Sequence, residues 1–417
     1  MKAFKYRLYP TTAQAQALEW QLSRCCELYN AALQERKDAW NACKQHPNFY
    51  DQTWRTEHAR DYAVTYYDQA NTLPQLKRDI RPEYCAIGSH VLQDVLRRVD
   101  KAFQAFFRRV KNGQTPGYPR YQSRTHYDSF CFPDHAGWKL TGNRLTLTNI
   151  GTIKVKLHRE VQGTMKTCTV KREGEHWYVV LACEMQAQPC LPYTDLAVGI
   201  DLGLLHFATL SSADTIENPR NYRRSEKKLA RKQQALSRKK RGSHRRKKAA
   251  KAVGKCHRKV RNQRQDFLHK ESRVLVDCYE TIVFEDLRPK NMSRRPKPKQ
   301  DAETGAFLPN GAAAKGGLNK SIVDAGWGTF MQMVCAKAES AGHTTVLFVN
   351  PKKTSQICSA CKQEGPHKDL SERTHTCVHC GVVLDRDHNA ALNILRLGLS
   401  HQENAPEKPL GLRAQGE

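Results

Sequence analysis

The chain has 417 residues, 39 % of them hydrophobic, with 13 Phe, 6 Trp and 15 Tyr, which predicts two or three domains at about 150 residues each and excludes a chain disordered throughout. Lys and Arg number 69 against 41 Asp and Glu, for a net charge of +28. No run approaches the roughly 18 apolar residues of a membrane helix, and the opening Met1–Pro10 lacks the apolar core of a signal peptide, so a soluble, cytoplasmic protein with no membrane partner is expected.

Phe4, Tyr6 and Leu8 alternate with Lys5, Arg7 and Tyr9, the pattern of a half-buried strand stopped by Pro10. Thr11 with Gln14 forms a capping-box pattern, and Leu18, Leu22, Cys25, Tyr29 and Ala32 recur at helical spacing. A second helix is expected from a Ser89 cap to Gly113, with Leu92, Val95, Leu96, Val99, Phe103, Phe106, Phe107 and Val110 on one face. The stretch between, about Trp40 to Pro82, is weakly patterned and read as helical. After the turn signals of Thr115-Pro-Gly-Tyr-Pro119, the apolar period changes from 3.6 to 2 through Leu145, Leu147, Ile150, Ile153, Val155 and Leu157, and Val170 to Trp177 reads as a hairpin leading into Tyr178 to Cys183. The first strand needs a sheet, and the nearest in sequence lies beyond residue 140. The reading is therefore a multidomain α+β chain that begins with a wedge-like β-barrel, 1–10 and 114–190, carrying an inserted helical domain, 11–113. The alternative is two separate N-terminal domains.

From Arg223 to Arg264 there are 20 Lys or Arg and one acid, Glu226, so these 42 residues carry +19 of the total +28. Such a block cannot neutralise itself and suits a polyanion, with counterion release from phosphates adding salt-sensitive affinity. Leu229, Leu236, Val253 and Val260 punctuate it and no proline intervenes between Arg220 and Pro289, so a basic helical hairpin over 222–278, turning near Gly242, is favoured over a solvated arm. Its candidate nucleic-acid contacts are Arg223, Arg224, Lys228, Arg231, Arg238, Lys239, Arg241, Arg245, Arg246, Lys247, Arg258, Arg261 and Arg264.

Leu196 to Ile200 is an apolar run ending in Asp201, Thr281 to Phe284 ends likewise in Glu285, and Asp387 opens a helix marked by Ala391, Leu392 and Leu395. Acids converging from strand ends and a helix start suit two Mg²⁺, because carboxylate oxygens match hard ions, and a metal pair activates a water and stabilises the leaving oxygen of a phosphodiester. Each acid alone reads as a turn former or cap. Asp195, Asp286 and Asp385 are neighbouring decoys, with Asp385 the serious rival to Asp387.

Fifteen cysteines, an odd number without an export signal, argue for reduced thiols. Most read as buried small hydrophobes. The exception is Cys358-Ser-Ala-Cys361, fifteen residues, then Cys377-Val-His-Cys380, the spacing of a Cys₄ zinc ribbon whose full ligand set makes one zinc structural. His367, His375 and His379 are weaker alternative ligands.

Together these pieces resemble TnpB, the OrfB-type protein of bacterial insertion sequences, related to type V CRISPR effector nucleases. The matching stretches are Gly199-Ile-Asp-Leu-Gly203, Arg264 to Lys270, Phe284 to Leu287, Asp324 to Phe330, Thr354-Ser-Gln-Ile-Cys358 and Asp385 to Ile394, with Arg7 to Pro10 and Gly117 to Tyr121 in the first half. The resemblance implies an RNA-guided DNA endonuclease with an RNase H-like (RuvC) α/β nuclease domain, 195–353 and 385–395, with an inserted zinc ribbon, 354–384; the tail 396–417, with Pro406 and Pro409 and little apolar content, reads from its composition as disordered. It assigns Asp201, Glu285 and Asp387 as the acidic triad and Arg373 as a scissile-phosphate contact. It implies a guide RNA from the transposon end and a double-stranded target DNA beside a short motif as partners, for a monomer or weak dimer. The chain departs from the family at His375, where Trp is common, and at Lys362, where Gly follows the second cysteine. The rival functions are a non-cleaving nucleic-acid-binding regulator, an RNase H-type DNA transposase and a ribosome-associated zinc protein.

Overall fold

The computed structural model describes residues 1–185, 195–366, 369 and 372–403, and the chain divides into two compact units, 1–187 and 188–417. In the first unit β1 (Lys2–Tyr9) is followed by α1 (Thr12–Gln45), the short helices α2 (Gln52–His58), α3 (Tyr66–Asn71) and α4 (Leu73–Gln75), and α5 (Ser89–Lys111). The remaining strands are β2 (Ser129–Phe132), β3 (Trp138–Thr141), β4 (Arg144–Leu147), β5 (Gly151–Lys156), β6 (Thr164–Glu173) and β7 (His176–Glu184). They form one seven-stranded sheet in the order β2-β6-β7-β1-β5-β4-β3. β1 lies between β5 and β7, antiparallel to both, so the opening residues complete a sheet whose other strands follow five helices later. The sheet is nearly closed, since its outer strands β2 and β3 are consecutive in sequence and the Phe132 ring lies 3.2 Å from where a Cβ on Gly137 would stand.

The inward side chains Phe4, Tyr6 and Leu8 share one buried cluster with Leu18 and Leu22 of α1 and Leu92, Val95 and Leu96 of α5, each such side chain stabilising the unit by about 1.5–3 kcal/mol. The capping box forms as expected: Gln14 N–H donates to Thr11 Oγ1 at 3.3 Å and Thr11 N–H to Gln14 Oε1 at 3.0 Å. The expected Ser89 cap does not. Gly88 occupies the cap position without a side-chain bond, and the Ser89 hydroxyl accepts instead from Lys77 Nζ at 2.7 Å. The apolar stripe of α5 is also buried only in its first half. Phe107 is 60 % and Val110 49 % exposed; at this end of the helix the Phe106 ring packs edge-on with Phe107 and with Tyr118.

The second unit opens with β8 (Ala197–Asp201), β9 (His206–Leu210) and β10 (Thr215–Glu217), an antiparallel meander. The basic helices α6 (Asn221–Ser237) and α7 (His244–Cys278) follow, then β11 (Thr281–Glu285), α8 (Pro289–Met292), the small pair β12 (Lys299–Gln300) and β13 (Phe307–Leu308), α9 (Ala312–Ala325), α10 (Trp327–Ala341) and β14 (Thr345–Val349). After the ribbon strands β15 (Thr374–Thr376) and β16 (Val383–Asp385), the helix α11 (Arg386–Glu403) completes the described fold. The central sheet has the order β10-β9-β8-β11-β14, with β8, β11 and β14 parallel. Burial on both faces explains why β8 and β11 read as continuous apolar runs, whereas β14 at the sheet edge is largely half-buried or exposed.

The hairpin α6–α7 turns through Gly242 at φ +82°, a left-handed conformation that glycine adopts without steric cost. Arg246 Nη1 closes the turn by donating to the carbonyls of Leu236 and Lys239, both at 3.0 Å. Below the turn, Leu229, Cys256 and Val260 are buried. The tail expected from 396 is helical as far as Glu403. Leu395 and Leu397 pack against a cluster of Val283, Val349 and Ile394, so the apolar contact runs past the expected boundary. The remainder of that expected tail, 404–417, lies outside the described residues, as do His367 and positions 186–190 of the expected barrel.

Candidate active site and metal centre

Three elements deliver the acids. β8 and β11 pair in parallel with Ile200 opposite Phe284, so Asp201 and Glu285 leave the same end of neighbouring strands, while Asp387 stands in the first turn of α11, which packs on β8. Burial raises all three carboxyls. Burial pushes Asp201 up to about 8, helped by the negative charges of Glu285 and Asp387 and opposed by Arg386. Burial also raises Glu285, which the Thr354 hydroxyl opposes. Asp387 is raised by burial and by Asp385, and lowered by Arg373, whose Nη1 lies 3.8 Å from it. Buried carboxyls, one of them raised further by its two neighbours, are a donor set that a divalent cation relieves.

The decoys have other employment. Asp385 Oδ1 accepts the backbone N–H groups of Asp387 at 2.9 Å and His388 at 3.0 Å, a helix cap. Asp286 is exposed and 3.4 Å from Arg288, and Asp195 is exposed on a loop.

α11 reaches the acids through two glycines. A Cβ on Gly199 would collide with the carbonyl oxygen of Ala391 and stand 2.5 Å from the Leu395 nitrogen, and one on Gly398 would stand 2.5 Å from the Val283 methyls. Two buried asparagines on the same helix, Asn389 and Asn393, hold the first cysteine knuckle: Asn389 Nδ2 and Asn393 Nδ2 donate to the Ile357 carbonyl at 2.8 and 2.7 Å. Sequence reasoning missed Thr354, Asn389 and Asn393. The signal for the asparagines was their spacing four apart among Ala390, Ala391 and Ile394, while Thr354 stood in a family-matching stretch with no role given to it.

The four cysteine Sγ atoms lie within 4.8 Å of one another, with Cys358 and Cys380 3.7 Å apart and Cys361 and Cys377 3.5 Å apart. Tetrahedral zinc with Zn–S of about 2.3 Å needs sulfur separations of roughly 3.8 Å, so the set fits. The backbone N–H groups of Cys380 and His379 lower the Cys377 thiol, while its neighbour Cys361, bonded to it, is raised. His379 Nε2 faces the Glu364 carbonyl at 3.4 Å, and His375 is buried. Cys377→Ser is expected to lose the zinc and the order of the ribbon, because binding and folding are one process in such knuckles; one zinc per chain by elemental analysis of that variant would remove Cys377 from the ligand set.

Lys362 occupies the place after Cys361 at φ +63°, as Gly381 does after Cys380 at +73°. A side chain in that conformation is strained by about 1 kcal/mol. Lys362→Gly is expected to slow zinc release to a chelator about fivefold, the rate equivalent of ~1 kcal/mol; an unchanged or faster release would show that the lysine is not strained.

Of the basic candidates, Arg224, Lys228, Arg231, Arg238, Lys239, Arg241, Arg245, Lys247 and Arg261 are exposed on the hairpin, and Arg258 is half-buried. Three have structural duties. Arg246 closes the turn, Arg223 donates to the Gly317 carbonyl at 2.8 Å, and Arg264 Nη2 pairs with buried Asp324 at 2.9 Å. Asp324 also accepts the Tyr222 N–H at 2.9 Å, which supplies the cap that α6 lacks from its own residues.

Residues 180–295 match a family model, OrfB_IS605, described as "Probable transposase". Residues 327–394 match a Cas12f1-like TNB domain, and residues 1–45 a helix-turn-helix domain, a segment that folds here as β1 and the single helix α1. The chain is 32 % identical over 404 residues to a "Putative RNA-guided DNA endonuclease" of Streptomyces pristinaespiralis, covering 96 % of this chain and 90 % of that one. It is 28 % identical to InsQ of Escherichia coli, described in the same words, over 95 % and 92 % of the two chains. A solved Cas12f1-sgRNA-target DNA complex aligns at 14 % identity and a TM-score of 0.32, over 94 % of this chain and 98 % of that one. The chain belongs to the TnpB family, the OrfB proteins of insertion sequences.

Proposed function

We propose that the protein is an RNA-guided DNA endonuclease of an insertion sequence, cutting DNA complementary to a bound guide RNA beside a short adjacent motif. The observation that carries this reading, beside family membership, is the placement of Asp201 and Glu285 at the same end of the paired strands β8 and β11, with Asp387 in the first turn of α11, which packs on β8. The sheet order, a three-strand meander followed by two parallel strands, supports an RNase H-like (RuvC) domain, into which the ribbon is inserted.

Asp201, Glu285 and Asp387 would hold two Mg²⁺, and Cys358, Cys361, Cys377 and Cys380 one structural Zn²⁺. The magnesium pair, when bound, supplies an activated water and stabilisation of the leaving oxygen. The chain's own residues do the rest. Asp201 must release its proton to bind a cation, so catalysis strengthens toward alkaline pH. Arg373, beside Asp387, offers its exposed guanidinium to the scissile phosphate. The exposed cations of α6 and α7 attract the nucleic-acid backbone irrespective of sequence. Arg223, Arg246 and Arg264 organise that surface through their bonds within the chain. Guide RNA and double-stranded target DNA are the partners, and a monomer or weak dimer suffices. Among the described residues no helix is long and apolar enough to cross a membrane.

The test is to purify the protein from its native locus, sequence the RNA that accompanies it, and challenge matching and mismatched DNA with and without Mg²⁺. Mg²⁺-dependent cutting of the matching DNA alone is expected. Absence of a defined RNA overturns the reading, and matching DNA bound but left intact at saturating Mg²⁺ favours the non-cleaving regulator.

A further inference from the structure

We propose that Thr354 is a positioning residue for Glu285, and that Asn393 and the first cysteine knuckle hold Thr354 in place, so the zinc ribbon and the acidic site share one rigid strip of backbone. The proposal rests on the reading of Glu285 as a metal ligand.

Thr354 is 4 % exposed and Glu285 9 %. The Thr354 hydroxyl donates to Glu285 Oε1 at 2.5 Å. A second acceptor among the described residues, the Pro351 carbonyl, is more distant at 3.3 Å, and a hydroxyl has one proton to give. One carboxylate oxygen is thereby fixed, which restricts the carboxylate as a whole and is how an outer hydrogen bond tunes a metal ligand. Thr354 is itself fixed from behind. Its carbonyl accepts from Asn393 Nδ2 at 3.0 Å, and the same amide bonds Ile357, the residue before the zinc ligand Cys358. Asn389 adds a second clamp, accepting from Ser359 N–H at 2.8 Å while donating to Ile357. Both asparagines sit on α11, the helix that carries Asp387. Strip 354–359 thus references Glu285 and Asp387 to a common frame, and a buried polar network of this kind holds its shape because each unmade bond is costly.

The full zinc-loaded chain, free of nucleic acid, is titrated with Mn²⁺ by electron paramagnetic resonance for wild type, Thr354→Val, Thr354→Ala, Thr354→Ser and Glu285→Ala, and the guided complex is assayed for its Mg²⁺ requirement. Elemental zinc and melting temperature identify the folded variants, with alanine standing in if valine loses zinc. Removal of the hydroxyl is expected to weaken Mn²⁺ binding and raise the Mg²⁺ requirement about 10–100-fold, while serine stays close to wild type. Valine or alanine binding Mn²⁺ like wild type overturns the proposal, and so does serine losing as much as they do, since the methyl would then be what matters. If Glu285→Ala leaves Mn²⁺ binding intact, it is the ligand reading of Glu285 that fails.

Discussion

Replacing Gly199 with alanine is expected to unseat α11 and abolish cleavage, although the added methyl group touches no acid. The new Cβ would run into the Ala391 carbonyl and stand 2.5 Å from the Leu395 nitrogen and 2.8 Å from its Cβ. These are backbone and near-backbone atoms of a packed helix and cannot rotate away, so α11 must lift from β8 or the strand must bend. Overpacking costs typically 1–3 kcal/mol where side chains can yield, and here the upper end applies, about 3 kcal/mol. For a unit of this size that lowers the melting temperature by roughly 6–12 °C. The helix that moves carries Asp387, Asn389 and Asn393, so the acidic site and the knuckle clamp shift together. A Gly199→Ala protein that melts and cuts like wild type would show that α11 has room to retreat.

Asp201→Asn should separate cutting from binding and, at alkaline pH, stabilise the metal-free protein. Loss of one metal ligand removes hydrolysis while leaving the basic hairpin and its phosphate contacts in place. The stability effect follows from the proton. Asp201 has an ordinary value of 3.8 and is raised to about 8 in the fold, so the folded state holds a proton that the unfolded state gives up between those limits. Stability tied to that proton is fully present below about pH 4 and is lost as pH rises through about 8. Asparagine keeps the shape without the charge, so its advantage over wild type without divalent cations should grow from pH 5 to pH 8. Even ~1 kcal/mol would separate the melting temperatures by roughly 2–4 °C. Parallel melting profiles across this range would sink the coupling of the acids, and retained Mg²⁺-dependent cutting would remove Asp201 from the site.

What could be read in the sequence was local. The capping box, the strand alternation of Phe4 to Leu8, the turn at Gly242 and the paired cysteine spacings each depend on residues a few positions apart, where backbone geometry dictates which side chains meet. Even the candidate acids were legible as carboxylates ending apolar runs. What local pattern could not decide was whether a partner surface lies opposite. Phe107 and Val110 extend the apolar stripe of α5 but stay largely exposed, whereas Leu397, on a helix that composition alone ended at 395, packs against buried residues. Asp385 and Asp387 are equivalent as text, and only the fold turns one into a helix cap and sets the other beside Arg373. Gly199, Thr354, Asn389, Asn393 and Asp324 owe their roles to close approaches between segments far apart in the chain. Periodicity encodes which face is apolar, but burial, collision and hydrogen-bond partnership are properties of two surfaces, and the second surface exists only once the chain has folded.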